Sequence, residues 1–146
     1  MHEEAEDSGF IYYGRHLRSS NGDVPTPMGP FLLPIGSFSI LTLPSDANTW
    51  SVTVFVASGD QPLKVLRHED AWTALVRSCP MQAHWLDGEP LTGIDSMGGV
   101  IDRYRRFVAE GKPVATGVAA VGDAWACTNP SLGRGLCARF LSVAES

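Results

Sequence analysis

The chain has 146 residues and a formal net charge of −5, and its 44% hydrophobic and 18% charged residues are typical of one soluble domain. Much of the negative charge lies in Glu3, Glu4, Glu6 and Asp7, so the rest of the chain is nearly neutral and lacks the basic face that nucleic-acid binding requires. No apolar run is long enough for a membrane span, and an odd number of cysteines without regular spacing favours a cytoplasmic protein with reduced thiols.

The first half of the chain predicts a solvated tail followed by three strands. The acidic residues 1–9 predict the tail, and the aromatic run Phe10–Leu17 predicts the first strand. Asn, Pro and Gly residues between 19 and 30 then predict a long loop. Ser37–Leu43 and Trp50–Ala57 predict an antiparallel hairpin, since apolar side chains alternate along its second strand.

The middle of the chain changes to a helical period. Apolar residues recur at i, i+3, i+4 and i+7 between Glu69 and Cys79, and two acidic residues occupy the first turn, where the helix dipole favours them. The sequence therefore predicts a helix over 69–79. Pro80 is suited to the first position of a second short helix, MQAHWL, because that position needs no N–H donor.

The last third of the chain predicts strands at Leu91–Met97, Val100–Val108 and Val114–Val121. Val100–Val108 also fits one face of a helix, but the intervening Gly-Lys-Pro turn favours a hairpin with the following run. The expected class is α+β, mainly an antiparallel sheet with inserted helices and a terminal strand, loop and helix. The predicted boundaries are a tail at 1–9, a sheet domain at 10–113 and a ligand-binding segment at 114–146.

The stretch VGDAWACTNPSLGRGL, residues 121–136, combines several features of a ligand site. Asp123 follows the predicted buried strand and Gly122, so its carboxylate would lie at a strand end and accept hydrogen bonds from hydroxyl groups. Pro130 restricts the loop, while Gly133 and Gly135 allow the backbone to approach a ligand closely. A helix from Leu136 would point free N–H groups at an anion or carbonyl oxygen. The combination fits a cofactor with a polyol and an electron-accepting ring.

These residues resemble the GDA…P…GxG motif of FAD-dependent oxidoreductases of the aromatic-hydroxylase and geranylgeranyl-reductase type. The resemblance implies FAD as cofactor, with Asp123 on the hydroxyls of the ribityl chain. It implies that the loop with Pro130, Gly133 and Gly135, and the helix start at Leu136, hold the pyrimidine edge of the ring. In such enzymes the flavin carries the redox chemistry on a small organic substrate, so no catalytic side chain is assigned. The antiparallel sheet would be the domain that covers the substrate.

The chain also departs from the family pattern. Family members carry a GxGxxG segment for the ADP half of FAD near the N-terminus, and this sequence begins instead with the acidic run. Ala126 stands where hydroxylases often have histidine, and Cys137 stands where many members have asparagine.

We therefore expect a C-terminal portion of such an enzyme with an incomplete FAD site, inactive in isolation. Its expected partner is a dinucleotide-binding domain or a second copy. The alternative is a non-catalytic fragment or interaction module. Hydroxylation, epoxidation, halogenation and reduction all stay open.

The remaining polar and reactive side chains predict no second site. The four histidines lack paired-ligand spacing, so no metal site is expected. Cys127 lies in the motif without a nearby histidine and is interpreted as a small loop residue. Arg103, Arg105 and Arg106 are interpreted as a solvated strand face or an interface.

Overall fold

The computed structural model describes residues 2–129. These residues form two compact units: the central unit, residues 9–98, and the terminal unit, which combines residues 2–8 with 99–129. The single α-helix of this part of the chain, α1, spans Glu69–Arg77. The strands in chain order are β1 (His2–Asp7), β2 (Phe10–Arg18), β3 (Leu32–Ile35), β4 (Phe38–Pro44), β5 (Thr49–Ala57), β6 (Glu89–Pro90), β7 (Asp95–Met97), β8 (Ile101–Arg106), β9 (Val108–Ala109), β10 (Lys112–Pro113) and β11 (Ala126–Cys127).

The central unit is built on a six-stranded antiparallel sheet with the order β3-β4-β5-β2-β6, and β7 also pairs with β2. The predicted hairpin is confirmed, since β4 pairs antiparallel with β5. The first predicted strand is confirmed as β2, which pairs with β5 over its whole length, from Phe10 opposite Ala57 to Arg18 opposite Thr49. The predicted loop also holds, because residues 19–30 contain no strand or helix.

One face of this sheet carries the hydrophobic core. Alternate residues of β5 point into it, as the period of two predicts, and helix α1 packs Trp72 and Val76 against them. Two of the three buried indoles of this core donate hydrogen bonds to backbone carbonyls: Nε1 of Trp72 donates to the carbonyl of Tyr13 at 2.9 Å, and Nε1 of Trp50 donates to the carbonyl of Trp85 at 2.9 Å. The core is therefore fixed by specific polar contacts as well as by burial.

Arg15 is a charged residue within this core face. Its side chain is 9% exposed, and Nη2 lies 2.8 Å from Oε1 of Glu69 at the start of α1. Nε donates to the carbonyl of Thr92 at 2.9 Å. One guanidinium thus ties β2 to the first turn of the helix and to the segment between β6 and β7.

The helical predictions are confirmed for α1 but only partly for the second helix. Residues after Pro80 form a short 3₁₀ helix at Ala83–Leu86. The strand predicted at Leu91–Met97 is shorter, because only Asp95–Met97 forms β7. Thr92 accounts for the gap: its Oγ1 accepts a hydrogen bond from the His16 amide at 3.2 Å, and so replaces the carbonyl of a regular ladder.

The terminal unit contains a three-stranded antiparallel sheet, β1-β8-β11, and the two-stranded ribbon of β9 and β10. The prediction of a solvated tail at residues 1–9 is wrong, because residues 2–7 form β1 and pair with β8 from His2 opposite Arg106 to Asp7 opposite Ile101. Every residue of β1 is nevertheless exposed. The acidic strand is held by its backbone ladder and by arginines of β8, not by burial.

The strand predicted at Val114–Val121 is also wrong. Residues 114–121 form neither strand nor helix, and the side chain of Val118 is 72% exposed. Val100–Val108 does contain a strand, β8. Because β8 lies between β1 and β11 in the sheet, residues 114–121 cannot pair with it as the predicted hairpin requires. The local hairpin is β9 with β10 instead, closed by Glu110 and Gly111 at positive φ.

The fold class is confirmed at the level of a mainly antiparallel α+β protein. The compact units do not follow the predicted boundaries at 10–113 and 114–146, since residues 99–113 belong with the terminal unit. The predicted terminal helix lies outside the described residues.

Candidate functional site

The predicted ligand residues Gly122 and Asp123 lie in a short 3₁₀ turn, Gly122–Ala124, immediately before β11. Gly122 has φ +60°, a conformation that side chains with a Cβ rarely adopt, and the turn closes through the Trp125 amide, which donates to the Gly122 carbonyl at 2.9 Å. Asp123 is exposed, and its carboxylate makes no hydrogen bond to any residue from 2 to 129. Within residues 2–129, these acceptor oxygens have no partner.

Arg105 of β8 holds this turn from its backbone side. Nη1 of Arg105 donates to the carbonyl of Asp123 at 2.9 Å and to that of Ala124 at 3.2 Å. The Arg105 amide also donates to the carbonyl of Trp125 at 2.9 Å. The carbonyls of residues 123, 124 and 125 thus all accept from Arg105, which fixes the peptide plane that follows Asp123, while the Trp125 amide holds the plane that precedes it.

The arginines of β8 are in turn paired with the acidic strand β1. Nε of Arg105 lies 2.7 Å from Oε2 of Glu3, and Nη1 of Arg103 lies 3.5 Å from the other oxygen of the same carboxylate. Nη2 of Arg106 lies 2.9 Å from Oε1 of Glu4. The interpretation of these arginines as a solvated strand face or an interface did not identify Glu3 and Glu4 as their partners. Their signal in the sequence is the match between an acidic run and a basic run, both of strand length.

An aromatic pair lies next to the turn. The rings of Tyr104 and Trp125 meet edge to face with centroids 5.5 Å apart, and the guanidinium of Arg106 lies 5.6 Å from the Tyr104 ring centre. Ring contacts of this kind stabilise the start of β11 against β8. The turn is thus fixed through both its backbone and its flanking side chain.

The terminal unit also contains a cleft of about 380 Å³. Its lining includes Glu6, Asp102, Cys127 and Thr128. Oδ1 of Asp102 and Oγ1 of Thr128 are buried and have no hydrogen-bond partner in the described part of the chain. The cleft therefore presents acceptor oxygens, while the free thiol of Cys127 has no histidine in the lining that could activate it.

In the central unit, the sheet face opposite the core carries an aromatic and aliphatic surface, which we call the open face. The rings of Phe10 and Phe55 meet edge to face at 5.7 Å, and those of Tyr12 and Phe55 lie 5.5 Å apart. Leu43 and Met97 on the same face are each 48% exposed. Tyr12 and Phe55 are only 5% and 8% exposed, so the accessible apolar surface of this face includes Leu43 and Met97 but little of those two rings.

A second cleft of the central unit, about 330 Å³, lies where the loop 19–26 meets His84. Nε2 of His84 lies 3.1 Å from the carbonyl of Thr26, so the tautomer that donates there leaves Nδ1 as an acceptor. Nδ1 is buried without a hydrogen-bond partner among residues 2–129. The hydrogen bond from His84 therefore connects the loop at residues 19–30 to the 3₁₀ helix at Ala83–Leu86.

Of the six predicted cofactor-binding residues, Gly122 and Asp123 come together in the turn. The other four, Pro130, Gly133, Gly135 and Leu136, lie outside the described residues.

Within residues 2–129, no group of three or more His, Cys, Asp or Glu side chains is arranged to hold a metal ion. No helix in that part has the length and apolar character needed to cross a membrane. Arg105 and Glu3 are the functional candidates that the sequence did not single out.

No family model and no curated protein matches this chain. Among solved structures it is similar to the flavin-dependent brominase Bmp2, with a TM-score of 0.60, 17% identity and coverage of 94% of this chain and 34% of that one. It is similar to a flavoprotein/dehydrogenase from Cytophaga hutchinsonii, with a TM-score of 0.60, 14% identity and coverage of 92% and 33%. It is also similar to HpxO from Klebsiella pneumoniae, solved with FAD and uric acid, with a TM-score of 0.55, 14% identity and coverage of 95% and 35%. The chain therefore shares its fold with about one third of the length of these flavin-dependent proteins.

Proposed function

We propose that this chain is part of an FAD-dependent oxidoreductase, monooxygenase-like or reductase-like, that acts on a small organic substrate. The fold likeness to proteins described as flavin-dependent supports the class. The observation that carries the proposal is the exposed carboxylate of Asp123 on a turn whose backbone is held by Arg105. When bound, the flavin would supply the redox chemistry, and the protein would bind and orient it.

The described residues fit the polyol part of such a cofactor. A ribityl chain presents several hydroxyl donors, and Asp123 offers acceptor oxygens that no residue from 2 to 129 occupies. Among residues 2–129, no atom would lie within 4 Å of a Cβ placed at Gly122, so this part of the chain leaves space beside the turn. Gly122 and Asp123 are thus proposed to bind the ribityl hydroxyls. Pro130, Gly133, Gly135 and Leu136 are proposed, by resemblance, to hold the pyrimidine edge of the ring.

The open face of the central sheet is proposed to bind the substrate. Leu43 and Met97, each 48% exposed, offer apolar surface there, whereas Tyr12 and Phe55 are already covered at 5% and 8% exposure. Gly14 of β2 lies one position along this face, and the Thr53 side chain occupies the space beside it, since a Cβ at Gly14 would lie 3.0 Å from Thr53 Oγ1. A planar aromatic or polycyclic substrate would bury apolar area there and exclude water from one side. The catalytic side chains, if the reaction uses any, are not assigned.

The cofactor proposal is tested by comparing two flavins that differ only in the polyol. The full chain is titrated with riboflavin and with lumiflavin, which lacks the ribityl chain, and flavin fluorescence reports binding. We expect Asp123→Ala to weaken riboflavin binding by at least about tenfold, because a charge-assisted hydrogen bond is lost, and to leave lumiflavin binding unchanged. FAD is titrated in parallel as the complete cofactor.

Two control variants separate this effect from a general loss of charge. Asp123→Asn keeps an acceptor oxygen and is expected to lose less affinity than Asp123→Ala. Asp70→Asn removes an equally exposed carboxylate from the first turn of α1 and is expected to change neither titration. The cofactor proposal is ruled out if the unmodified chain binds riboflavin and lumiflavin with equal affinity. It is also ruled out if the unmodified chain binds neither of these flavins nor FAD.

The alternative, a non-catalytic interaction module, is favoured by the exposed apolar side chains of the open face. Leu32, Leu43 and Met97 are 40%, 48% and 48% exposed on it. A surface of this kind can bury itself against a second copy of the chain. Sedimentation velocity over a range of concentrations tests this: a concentration-dependent dimer that Leu43→Glu abolishes supports the module, and a monomer at all concentrations contradicts it.

A further inference from the structure

Arg105 joins three segments that are far apart in the sequence. Its side chain is 22% exposed and extends from β8 between the carboxylate of Glu3 and the turn at Gly122–Ala124. Nε donates to Oε2 of Glu3 at 2.7 Å, and Nη1 donates to the carbonyls of Asp123 and Ala124 at 2.9 and 3.2 Å. A single planar group therefore binds an anion on one edge and two backbone acceptors on the other.

The geometry of guanidinium explains why arginine suits this position. Its N–H donors are fixed in one plane, so a partner that holds Nε also sets the direction of the Nη1 donors. Glu3 occupies Nε and thereby directs Nη1 at the turn. A lysine ammonium is a single point of charge on a flexible stem and cannot hold one edge against a carboxylate while presenting another edge to two carbonyls.

The neighbouring arginines of β8 do not share this role. Arg103 lies on the same sheet face and pairs with the same Glu3 carboxylate at 3.5 Å, and Arg106 pairs with Glu4 at 2.9 Å. Neither donates a hydrogen bond to the turn in the described part of the chain. Arg103 is therefore a matched control, because it shares with Arg105 the strand, the face and the ionic partner.

We propose that Arg105 is a positioning residue for Asp123, and that Glu3 of the acidic strand orients Arg105. The inference rests on the proposed role of Asp123 toward a ribityl chain. Arg105 acts through the backbone of the turn, so it holds the Asp123 carboxylate in one orientation without touching the ligand. Without the arginine, the chain keeps the Asp123 carboxylate, but the peptide plane that follows Asp123 can rotate and the carboxylate loses its fixed orientation.

The first measurement is independent of flavin. Hydrogen exchange of the Trp125 amide, which closes the turn onto the Gly122 carbonyl, reports how firmly the turn is held. We expect Arg105→Gln to speed this exchange by about tenfold and Glu3→Gln to speed it by a smaller factor. We expect Arg103→Gln to leave it unchanged. If Arg103→Gln and Arg105→Gln accelerate the exchange equally, the arginines only hold the strands together and the inference is wrong.

The second measurement isolates the ribityl chain. We expect Arg105→Gln to weaken riboflavin binding by about tenfold and to leave lumiflavin binding unchanged, because a loosened turn misplaces Asp123 alone. Arg105→Lys is expected to retain the pairing of β1 with β8 but to bind riboflavin as weakly as Arg105→Gln. Equal weakening of both flavins would mean that Arg105 supports the fold in general, and would overturn the positioning role.

The two proposals fail in different ways. If Asp123→Ala selectively weakens riboflavin but Arg105→Gln alters neither the exchange nor the binding, the cofactor site stands and the positioning role is refuted. If no flavin binds the unmodified chain but Arg105→Gln still speeds Trp125 exchange relative to Arg103→Gln, the cofactor proposal fails and Arg105 still fixes the turn that carries Asp123.

Discussion

The central and terminal units are both antiparallel sheets, yet different forces hold their strands. In the central unit, four of the nine residues of β2 and five of the nine residues of β5 are buried, and Val52 and Val54 are 0% exposed. In the terminal unit, all six residues of β1 are exposed, and glutamates pair with arginines across the strands. Apolar burial is worth about 25 cal/mol per Å² and varies little with salt, whereas exposed ion pairs contribute at most about 1 kcal/mol each and are screened. The two sheets should therefore respond to different perturbations.

The largest expected effect is in the core of the central unit. Trp72 is 0% exposed and donates a hydrogen bond to Tyr13, so Trp72→Ala removes a buried ring and an indole donor. We expect the free energy of unfolding to fall by about 3–5 kcal/mol. Urea denaturation monitored by circular dichroism measures it. Trp72→Phe keeps most of the ring and should cost clearly less; an equal loss from both variants would show that ring volume does not set the effect.

A smaller effect is expected from the charge within that core. Arg15→Ala should cost about 2 kcal/mol, because it removes a packed side chain and the donor to the Thr92 carbonyl. Glu69→Gln should cost less than about 1 kcal/mol, since the side chain of Glu69 is 58% exposed and water screens its attraction to Arg15. Urea denaturation of both variants tests the order. If Glu69→Gln lowers the free energy of unfolding more than Arg15→Ala does, ionic attraction and not packing stabilises the buried position of Arg15.

The ion pairs of the terminal unit predict a salt effect. Raising sodium chloride from about 0.05 M to about 0.5 M screens the pairs of Glu3 and Glu4 with the β8 arginines, which weakens β1 pairing by about 1 kcal/mol. Amide exchange of β1 should therefore accelerate by about fivefold, while that of β5 should not change. Equal acceleration in both strands would remove the distinction between the two units.

The smallest effect appears only at alkaline pH. Burial raises the pKa of Tyr13 above its ordinary value of 10.0, and the nearby Arg67 opposes this in part. The folded chain keeps the phenol proton to a higher pH than the unfolded chain, so the free energy of unfolding declines as the pH rises above 10. Urea denaturation at a series of alkaline pH values should show that decline, and Tyr13→Phe should reduce it. If the free energy of unfolding of Tyr13→Phe declines as steeply as that of the unmodified chain, another titrating group causes the decline.

Local patterns in the sequence were enough to predict most of the central unit. The alternation from Trp50 to Val56 and the helical period around Trp72 report which side chains are buried, because each period belongs to one kind of backbone. Gly122 and Asp123 belong to a local motif, but the buried strand predicted before them is absent, and they lie instead in a 3₁₀ turn. These features depend on residues that are neighbours in sequence.

The terminal unit was predicted poorly because its contacts join residues that are far apart in the sequence, or depend on whether a neighbouring strand is free to pair. Arg105 and Glu3 lie 102 positions apart, so neither residue by itself indicates the pair. Residues 118–121 have the composition of a buried strand, but composition cannot supply a neighbouring strand edge, and β8 has none left. The role proposed for Arg105 was therefore not accessible from the motif, although Asp123 was.

The pairing of β1 with β8 also has a consequence for the order of events during synthesis. β1 leaves the ribosome before the central unit, and its partner β8 follows only after that unit has emerged. Closing so long a loop is entropically costly and slow, whereas the sheet of the central unit is formed by strands within residues 9–98. A nascent chain would thus carry β1 unpaired and strongly acidic while the central sheet folds. The charge that later binds β8 would keep that segment hydrated and discourage its association with other chains in the meantime.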